Sequence, residues 1–323
     1  MTSRSRGLRS GRTVADLVAT ARQLQPGAVA RLISLVESDS PLLREVAVAL
    51  APHVGSAQVV GITGSPGVGK STTISALTQA IRDRGRTVGV LSVDPSSPLT
   101  GGALLGDRIR MLEHATDEGV FVRSLASRGR LGGLSAAVPQ ALRVLDASGY
   151  DVVLIETVGA GQAELEIASL ADTTLVVLAP GAGDGIQAAK AGILEIADLL
   201  VVNKADREGS AAVASDLRRA QNYRSAPNDS WAVPVLQTVA ADGSGIEQLL
   251  AAADGHFAWL QSTGNLAIRR RRRATAEVEA IVIDRVLAQF ASLTKTEALD
   301  AVADAVAHGT IDPHSAADRL FPL

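Results

Sequence analysis

The 323-residue sequence contains no cysteine. Disulfide bonds and thiolate metal sites are therefore excluded, while the redox compartment stays open. Aromatic residues make up only 2% of the chain, so its core must be built from Ala, Val, Leu and Ile, for which a hydrophobic content of 46% is ample. A chain of this length holds one large domain with appendages, or two domains.

The sequence also lacks a strong net charge and a long apolar run. The net charge of −3 gives no overall case for nucleic-acid binding, and no apolar run approaches the roughly 20 residues that a membrane span needs. The first dozen residues hold four arginines but no apolar h-region, so a secretory signal is not expected. We favour a disordered solvated tail here, with an organelle transit peptide as the alternative. We expect a cytoplasmic protein that binds neither nucleic acid nor membrane.

A complete phosphate-loop motif is present at Gly64–Ser71, with the sequence Gly-Ser-Pro-Gly-Val-Gly-Lys-Ser. An apolar, β-prone stretch precedes it and a stretch of helical periodicity follows, as the motif requires. The glycines let backbone N–H groups converge on phosphate oxygens at the positive end of a helix. Lys70 would reach the outer phosphates and Ser71 would bind Mg²⁺. The predicted phosphate-binding residues here are Gly64, Ser65, Pro66, Gly67, Val68, Gly69, Lys70, Ser71 and Thr72.

Continuous apolar strands alternate with helical stretches through the middle of the chain. We predict strands at 59–62, 87–93, 120–125, 151–156, 173–178, 199–202 and 233–239. This pattern predicts an α/β fold of the P-loop type, with a mostly parallel sheet covered by helices on both faces. Sites in such sheets lie at the carboxyl ends of the strands, where all the motifs named here fall.

Helical stretches flank this predicted core on both sides. We divide the chain into a basic tail and helical extension at 1–52, a nucleotide-binding core at 53–263 and a helical arm at 264–323. The arm holds five consecutive arginines, 269–273, before a predicted helix at 274–291. Such a run can indicate nucleic-acid or membrane binding. Without interleaved aromatics we favour a solvated basic helical turn or a partner-facing charge patch.

An N-K-x-D arrangement that recognises guanine begins at Asn203, directly after a predicted strand. The Asp206 carboxylate would accept hydrogens from ring N1 and the exocyclic amine of guanine, and adenine has neither donor there. Asn203 would bond the base edge and brace the phosphate loop, while Lys204 would lie along the base. Ala240, after the last strand, is placed to donate its backbone N–H to guanine O6. GTP and GDP are therefore the predicted ligands.

Three carboxylates are candidates for holding Mg²⁺ or its waters. Asp94 and Glu156 end strands predicted beside the phosphate-loop strand, and Asp107 lies in the segment that follows Asp94. The alternative for each is a helix-capping or turn carboxylate. Gly159, three residues after Glu156, would offer its N–H to the γ-phosphate.

Taken together, these motifs resemble those of the MeaB/ArgK-like GTPases, which include the methylmalonic aciduria type A protein. The resemblance covers roughly residues 25 to 321. The matching stretches are 64–72, 93–98, 105–111, 127–133, 155–164, 180–190 and 203–206.

The resemblance implies a GTPase core with an N-terminal helical extension and a C-terminal arm that makes a homodimer. It implies a chaperone of adenosylcobalamin-dependent methylmalonyl-CoA mutase. It places Asp94, Asp107 and Glu156 around the magnesium ion. The segment 180–190, with Asp184 and Lys190, is similar to the switch that couples nucleotide state to the mutase in that family.

The expected reaction is hydrolysis of GTP to GDP and phosphate, with Lys70, Asp94 and Glu156 as its catalytic residues. Gln162 is not placed like a water-positioning glutamine, so slow intrinsic turnover is expected. Arg108, Arg128 and Lys190 are equal candidates for transition-state charge. Two alternatives use the same loop. A small-molecule kinase would not need the guanine motif. A metal-insertion GTPase would need Cys/His clusters, whereas the five histidines here are scattered.

Overall fold

The computed structural model describes residues 13–38, 40–95, 114, 116–127, 137–157, 163–181, 194–222, 230–294 and 297–320. The chain divides into two compact units, residues 1–270 and residues 271–323. Within the described residues, no helix combines the length and apolar character needed to cross a membrane.

The first unit is built on a seven-stranded sheet in which every pairing is parallel. Its strand order is β3-β2-β4-β1-β5-β6-β7, which confirms the predicted α/β fold class. The strands are β1 (Gln58–Thr63), β2 (Val88–Pro95), β3 (Val120–Ser127), β4 (Val152–Thr157), β5 (Thr173–Leu178), β6 (Leu199–Asn203) and β7 (Val235–Thr238).

Helices cover both faces of this sheet and extend the chain at both ends. They are α1 (Val14–Ala21), α2 (Pro26–Glu37), α3 (Leu43–Leu50), α4 (Lys70–Asp83), α5 (Ala137–Ser148), α6 (Ala163–Leu170), α7 (Ser210–Asn222), α8 (Ile246–Ser262), α9 (Asn265–Thr294), α10 (Glu297–Ala307) and α11 (Pro313–Leu320). Short helical turns occur at Ala51–His53 and Leu194–Ile196.

Burial on both faces explains why the strands are continuously apolar. All six residues of β5, Thr-Thr-Leu-Val-Val-Leu, are buried, as expected of a parallel strand covered on both sides. Along β4, Val153 and Ile155 join the core beneath α1–α3, α5 and α6. Val152 and Leu154 join the core beneath α4 and α8. The helical extension therefore shares a hydrophobic core with the sheet.

Local signals in the sequence define the start of this extension. Thr13 caps α1 in a capping box, since its hydroxyl accepts from the Asp16 N–H at 3.1 Å and the Asp16 carboxylate accepts from the Thr13 N–H at 2.9 Å. Farther on, the Arg123 guanidinium of β3 is paired with the carboxylate of Glu37 in α2. The extension is thus held to the edge strand by an ion pair as well as by apolar contact.

The structure corrects the prediction for the arginine run. Helix α9 begins at Asn265, nine residues before the predicted helix at 274, so all five arginines are helical. Arg269 and Arg270 do not belong to a solvated helical turn, because their guanidinium groups bind the carboxylates of Asp198 and Asp172. Arg271 and Arg272 are exposed.

The second unit consists of the remainder of α9 together with α10 and α11. Helices α10 and α11 pack against each other. Several large apolar side chains of α9 are exposed: Val278, Val282, Ile283, Val286 and Leu287, each with at least half of its surface accessible.

A buried histidine lies near the amino ends of β5 and β6. His256 of α8 is fully buried, its Nδ1 lies 2.9 Å from the Thr173 hydroxyl, and its Nε2 lies 3.4 Å from an Asp198 oxygen. The rings of Trp231 and Trp259 flank it at 4.8 and 5.8 Å between centroids. Burial lowers the pKa of His256 from its usual 6.5 to about 4, although the Asp198 carboxylate opposes this shift.

This lowered pKa makes stability depend on pH. Below pH 6.5 the unfolded chain takes up a proton at His256 that the folded chain refuses, so stability present above pH 6.5 is lost as pH falls toward 4. We expect this residue alone to cost roughly 2 kcal/mol between pH 7 and pH 5. Urea unfolding at both pH values tests this. His256→Gln should remove that share of the pH dependence, while His53→Gln, at a partly exposed histidine, should keep it. Equal pH dependence in all three proteins would contradict the assignment.

Candidate functional site

The phosphate loop connects the end of β1 to the start of α4. It requires glycine at two positions where its backbone lies against neighbouring residues. Gly64 has φ of 141° and Gly69 has φ of 96°, values that residues with a Cβ rarely adopt. A Cβ on Gly64 would lie 2.1 Å from the carbonyl oxygen of Val177, and a Cβ on Gly69 would lie 2.4 Å from Nδ2 of Asn203. The loop is therefore fitted closely against β5 and against the end of β6.

Lys70 is the first residue of α4, and it is buried. Its ammonium donates to the carbonyl oxygens of Gly64 at 2.7 Å and Ser65 at 3.2 Å. The positive charge is therefore held across the loop, at the N-terminus of α4. This arrangement can bind an anion at a helix N-terminus.

Ser71 and Glu156 meet beside this loop. Glu156 is the penultimate residue of β4 and only 4% exposed, and its Oε1 accepts a hydrogen bond from the Ser71 hydroxyl at 2.8 Å. β4 pairs with β1 so that Glu156 lies opposite Ile62, which brings the carboxylate beside the phosphate loop. A hydroxyl and a carboxylate oxygen side by side are ligands that Mg²⁺ accepts.

The described residues contain no group of three or more His, Asp or Glu side chains that could hold a metal ion by itself. Mg²⁺ is commonly held by one or two protein groups together with substrate phosphates. The pair formed by Ser71 and Glu156 fits that kind of site.

Asn203, the last residue of β6, joins the phosphate loop to the end of β7. Its Nδ2 donates to the carbonyl oxygen of Val68 at 2.9 Å. Its Oδ1 accepts from the Thr238 hydroxyl at 3.2 Å and from the Ala240 N–H at 3.0 Å. Asn203 is only 2% exposed. A buried amide with its bonds made on both sides fixes three chain segments relative to one another.

The residues after Asn203 turn toward the phosphate loop. Lys204 has a positive φ of 58°, and its ammonium donates to the carbonyl oxygen of Gly67 at 2.6 Å. The N–H of Ala205 donates to the carbonyl oxygen of Thr238 at 3.0 Å. Asp206 lies exposed in the turn that follows. The structure thus brings the two sequence motifs to the same edge of the sheet.

The structure gives the Ala240 N–H a partner within the chain. Ala240 was expected to offer its N–H to guanine O6, whereas here that N–H is bonded to the side chain of Asn203. A bound base would have to share this donor or take it over. Thr238 was not predicted as part of the site, although its position as the last residue of β7 could have indicated it.

Several predicted residues lie outside the described part of the chain. They are Asp107, Arg108, Arg128, Gly159, Gln162, Asp184 and Lys190. Asp94 belongs to β2 by its backbone, and its side chain is likewise not described. Their assignments stay predictions.

Comparison with known proteins agrees with these motifs. The family model described as "Methylmalonyl Co-A mutase-associated GTPase MeaB" matches residues 29–295. A protein of Pyrococcus abyssi that is named as a GTPase is 45% identical over 296 residues, which is 91% of either chain. The mouse "methylmalonic aciduria type A homolog, mitochondrial" is 31% identical, over 92% of this chain and 76% of that one.

A solved structure shows the same architecture over nearly the whole length. The crystal structure of a protein named "LAO/AO transport system kinase" covers 97% of this chain with 98% of its own, at a TM-score of 0.72 and 27% identity. The similarity therefore extends over the core and both helical ends.

Proposed function

The chain belongs to the family of methylmalonyl-CoA mutase-associated GTPases, and from that membership and the geometry of its phosphate loop we propose that it binds and hydrolyses GTP. We further propose that it does so as a chaperone of an adenosylcobalamin-dependent methylmalonyl-CoA mutase, in loading, protecting or reactivating the cofactor. The observation that carries the GTPase proposal is the Asn203 amide, which ties the N-K-x-D segment to the phosphate loop.

In this proposal Lys70 changes its partners when nucleotide binds. Its ammonium now rests on two carbonyl oxygens at the mouth of the loop. The β- and γ-phosphate oxygens carry full negative charge and would bind it more strongly than neutral carbonyls do. Lys70 and the loop amides would then stabilise charge on the transferred phosphoryl group while water attacks it and GDP leaves.

A bound magnesium ion would supply positive charge that offsets the negative charge of the phosphates. Ser71 and Glu156 are the described residues that would hold it, directly or through water, with Asp94 and Asp107 as further proposed ligands. The Ser71 hydroxyl donates its hydrogen to Glu156, so its oxygen lone pairs stay available to the metal. Glu156 would remain beside it as a second oxygen ligand or as the acceptor of a metal-bound water.

We also propose the roles that the sequence predicts for residues outside the described part of the chain. The segment 180–190, with Asp184 and Lys190, would pass the nucleotide state to the mutase, and Gly159 would contact the γ-phosphate. The cytoplasmic location rests on the sequence and stays a prediction. Neither the kinase nor the metal-insertion alternative is favoured, since the family model that matches this chain describes mutase-associated GTPases.

Guanine selectivity tests the base-recognition part of the proposal. Wild-type protein should bind GDP at least roughly 100-fold more tightly than ADP, because adenine would leave the Asp206 carboxylate without its donors. Asp206→Asn should shift preference toward XDP, since its amide donor matches the extra carbonyl of xanthine. Competition binding with GDP, ADP and XDP measures both effects. Glu208→Gln, an exposed acidic neighbour, is the matched control and should keep GDP preference. Equal wild-type affinity for GDP and ADP would refute the assignment.

Stimulation by the mutase tests the chaperone part. Wild-type protein should hydrolyse GTP slowly alone and faster with saturating methylmalonyl-CoA mutase, measured as phosphate release. Lys70→Ala should lower both rates by roughly 100-fold or more, because it removes a charge from the transition state, while circular dichroism shows the fold retained. The absence of stimulation by any acyl-CoA mutase would remove the chaperone function and leave the GTPase assignment standing.

The apolar face of α9 supports the homodimer in this proposal. Val278, Val282 and Val286 recur every four residues and are at least half exposed, as expected of a helix face that meets another surface. A second copy of the chain would cover it. We expect full-length protein to be dimeric at micromolar concentration by light scattering, and Val282→Asp with Val286→Asp to make it monomeric while circular dichroism stays unchanged. A monomeric wild type would contradict the dimer.

A further inference from the structure

Two buried carboxylates tie together the amino ends of three strands. Asp172 directly precedes β5, and its Oδ2 accepts from the N–H of Val59 in β1 at 3.1 Å. Asp198 directly precedes β6, and its Oδ2 accepts from the N–H of Thr174 in β5 at 2.9 Å. Each carboxylate therefore holds the start of the neighbouring strand as well as its own.

Two arginines from the first turns of α9 bind these carboxylates. Arg269 donates to both oxygens of Asp198, at 2.7 and 2.8 Å, and to the backbone carbonyl of Asp172 at 2.9 Å. Arg270 donates to Asp172 Oδ2 at 2.9 Å and to the carbonyl of Ala57 at 2.8 Å, just before β1. We call Arg269, Arg270, Asp172 and Asp198 the arginine clamp.

The same three strands end in the nucleotide site. β1 leads into the phosphate loop at Gly64, β6 ends at Asn203, and β5 ends at Leu178, close to the segment 180–190. The strands are five or six residues long and buried throughout. At about 3.3 Å per residue they span roughly 17–20 Å. The clamp fixes one end of each strand. The other ends of β1 and β6 lead into predicted nucleotide contacts, and the other end of β5 leads into the predicted switch segment 180–190.

A clamp of this kind favours two discrete states over gradual loosening. Asp172 is fully buried and Asp198 only 7% exposed, so a carboxylate separated from its arginine would be a buried charge without its counter-ion. A shift of one strand along its neighbours would have to break those pairs and the ladder hydrogen bonds together. Packed, hydrogen-bonded elements with separate arrangements are what carries coupling between distant sites.

We propose that the arginine clamp and the guanine-nucleotide site are thermodynamically coupled, so that nucleotide tightens the clamp and a closed clamp raises nucleotide affinity. The coupling rests on the proposed binding of guanine nucleotide. Because linkage is reciprocal, any partner that opens or closes the clamp would also change nucleotide affinity. The clamp residues are positioning residues, since they lie at the opposite edge of the sheet from the phosphate loop.

The chain carries its own reporter at the clamp. It has two tryptophans, and both lie there: Trp231 Nε1 donates to the backbone carbonyl of Asp198 at 2.8 Å, and Trp259 lies 5.8 Å from both His256 and Trp231. Indole emission responds to the hydrogen bonding and polarity around the ring. We therefore expect saturating GDP to change the tryptophan emission of wild-type protein, although neither tryptophan belongs to the predicted nucleotide site.

Variants within one arginine run supply a matched comparison. The double variant Arg269→Ala, Arg270→Ala opens the clamp, while Arg271→Ala, Arg272→Ala removes two exposed arginines from the next positions of the helix. GDP affinity, measured by isothermal titration with Mg²⁺, should weaken at least about fivefold in the clamp variant and stay within about twofold in the control. Arg270→Lys, which keeps the charge but not the fork of donors, should give an intermediate loss.

These measurements distinguish a failure of the coupling from a failure of the GTPase assignment. Wild-type protein that binds no GDP would refute the GTPase assignment itself. Wild-type protein that binds GDP, with clamp and control variants of equal affinity, would overturn the coupling alone. If the clamp double variant does not fold, two other measurements test the coupling. They are the GDP affinity of Arg270→Lys and the change in wild-type tryptophan emission on GDP binding. An unchanged emission together with wild-type affinity in Arg270→Lys would overturn the coupling.

Discussion

One buried carboxamide, that of Asn203, holds the candidate site together. It binds the phosphate loop through Val68 on one side and the end of β7 through Thr238 and Ala240 on the other. Val68, Thr238 and Ala240 are buried, and buried backbone polar groups need hydrogen-bond partners. The amide satisfies that backbone and sets the distance between the predicted phosphate and base contacts.

The Asn203 amide can reach both segments only because the sheet places them at the same edge. In a parallel sheet every strand ends on the same side, and the order places β5 and β6 between the phosphate-loop strand and β7. At the other edge, the buried Asp172 and Asp198 fix where β5 and β6 start. The strands therefore have defined beginnings and defined ends, and their apolar interiors can be simple aliphatic packing in a chain with few aromatic residues.

The sheet could be predicted well from the sequence because a buried parallel strand requires a continuous apolar run, which is easy to recognise. A run such as Val-Val-Leu-Ile in β4 must be buried on both faces, and glycine-rich turns followed it at the places where loops were needed. The start of α9 was missed because an arginine run has no apolar periodicity to mark it as helix. Periodicity also says nothing about Arg269 and Asp198, whose contact joins residues 71 positions apart. An Ala-Asp pair precedes both β5 and β6, and it was the one local sign of that arrangement.

The close approach between Gly69 and Asn203 also bears on how this sequence can change over time. The two residues are 134 positions apart, yet any side chain at Gly69 would enter the space of the Asn203 amide. A substitution at either residue therefore disturbs both motifs at once, and a second change at the partner could not restore what the first removed. The predicted phosphate-binding and base-recognition motifs therefore depend on one shared contact. Asp206, the predicted base-recognising carboxylate, lies exposed beyond the shared amide and can change without disturbing it.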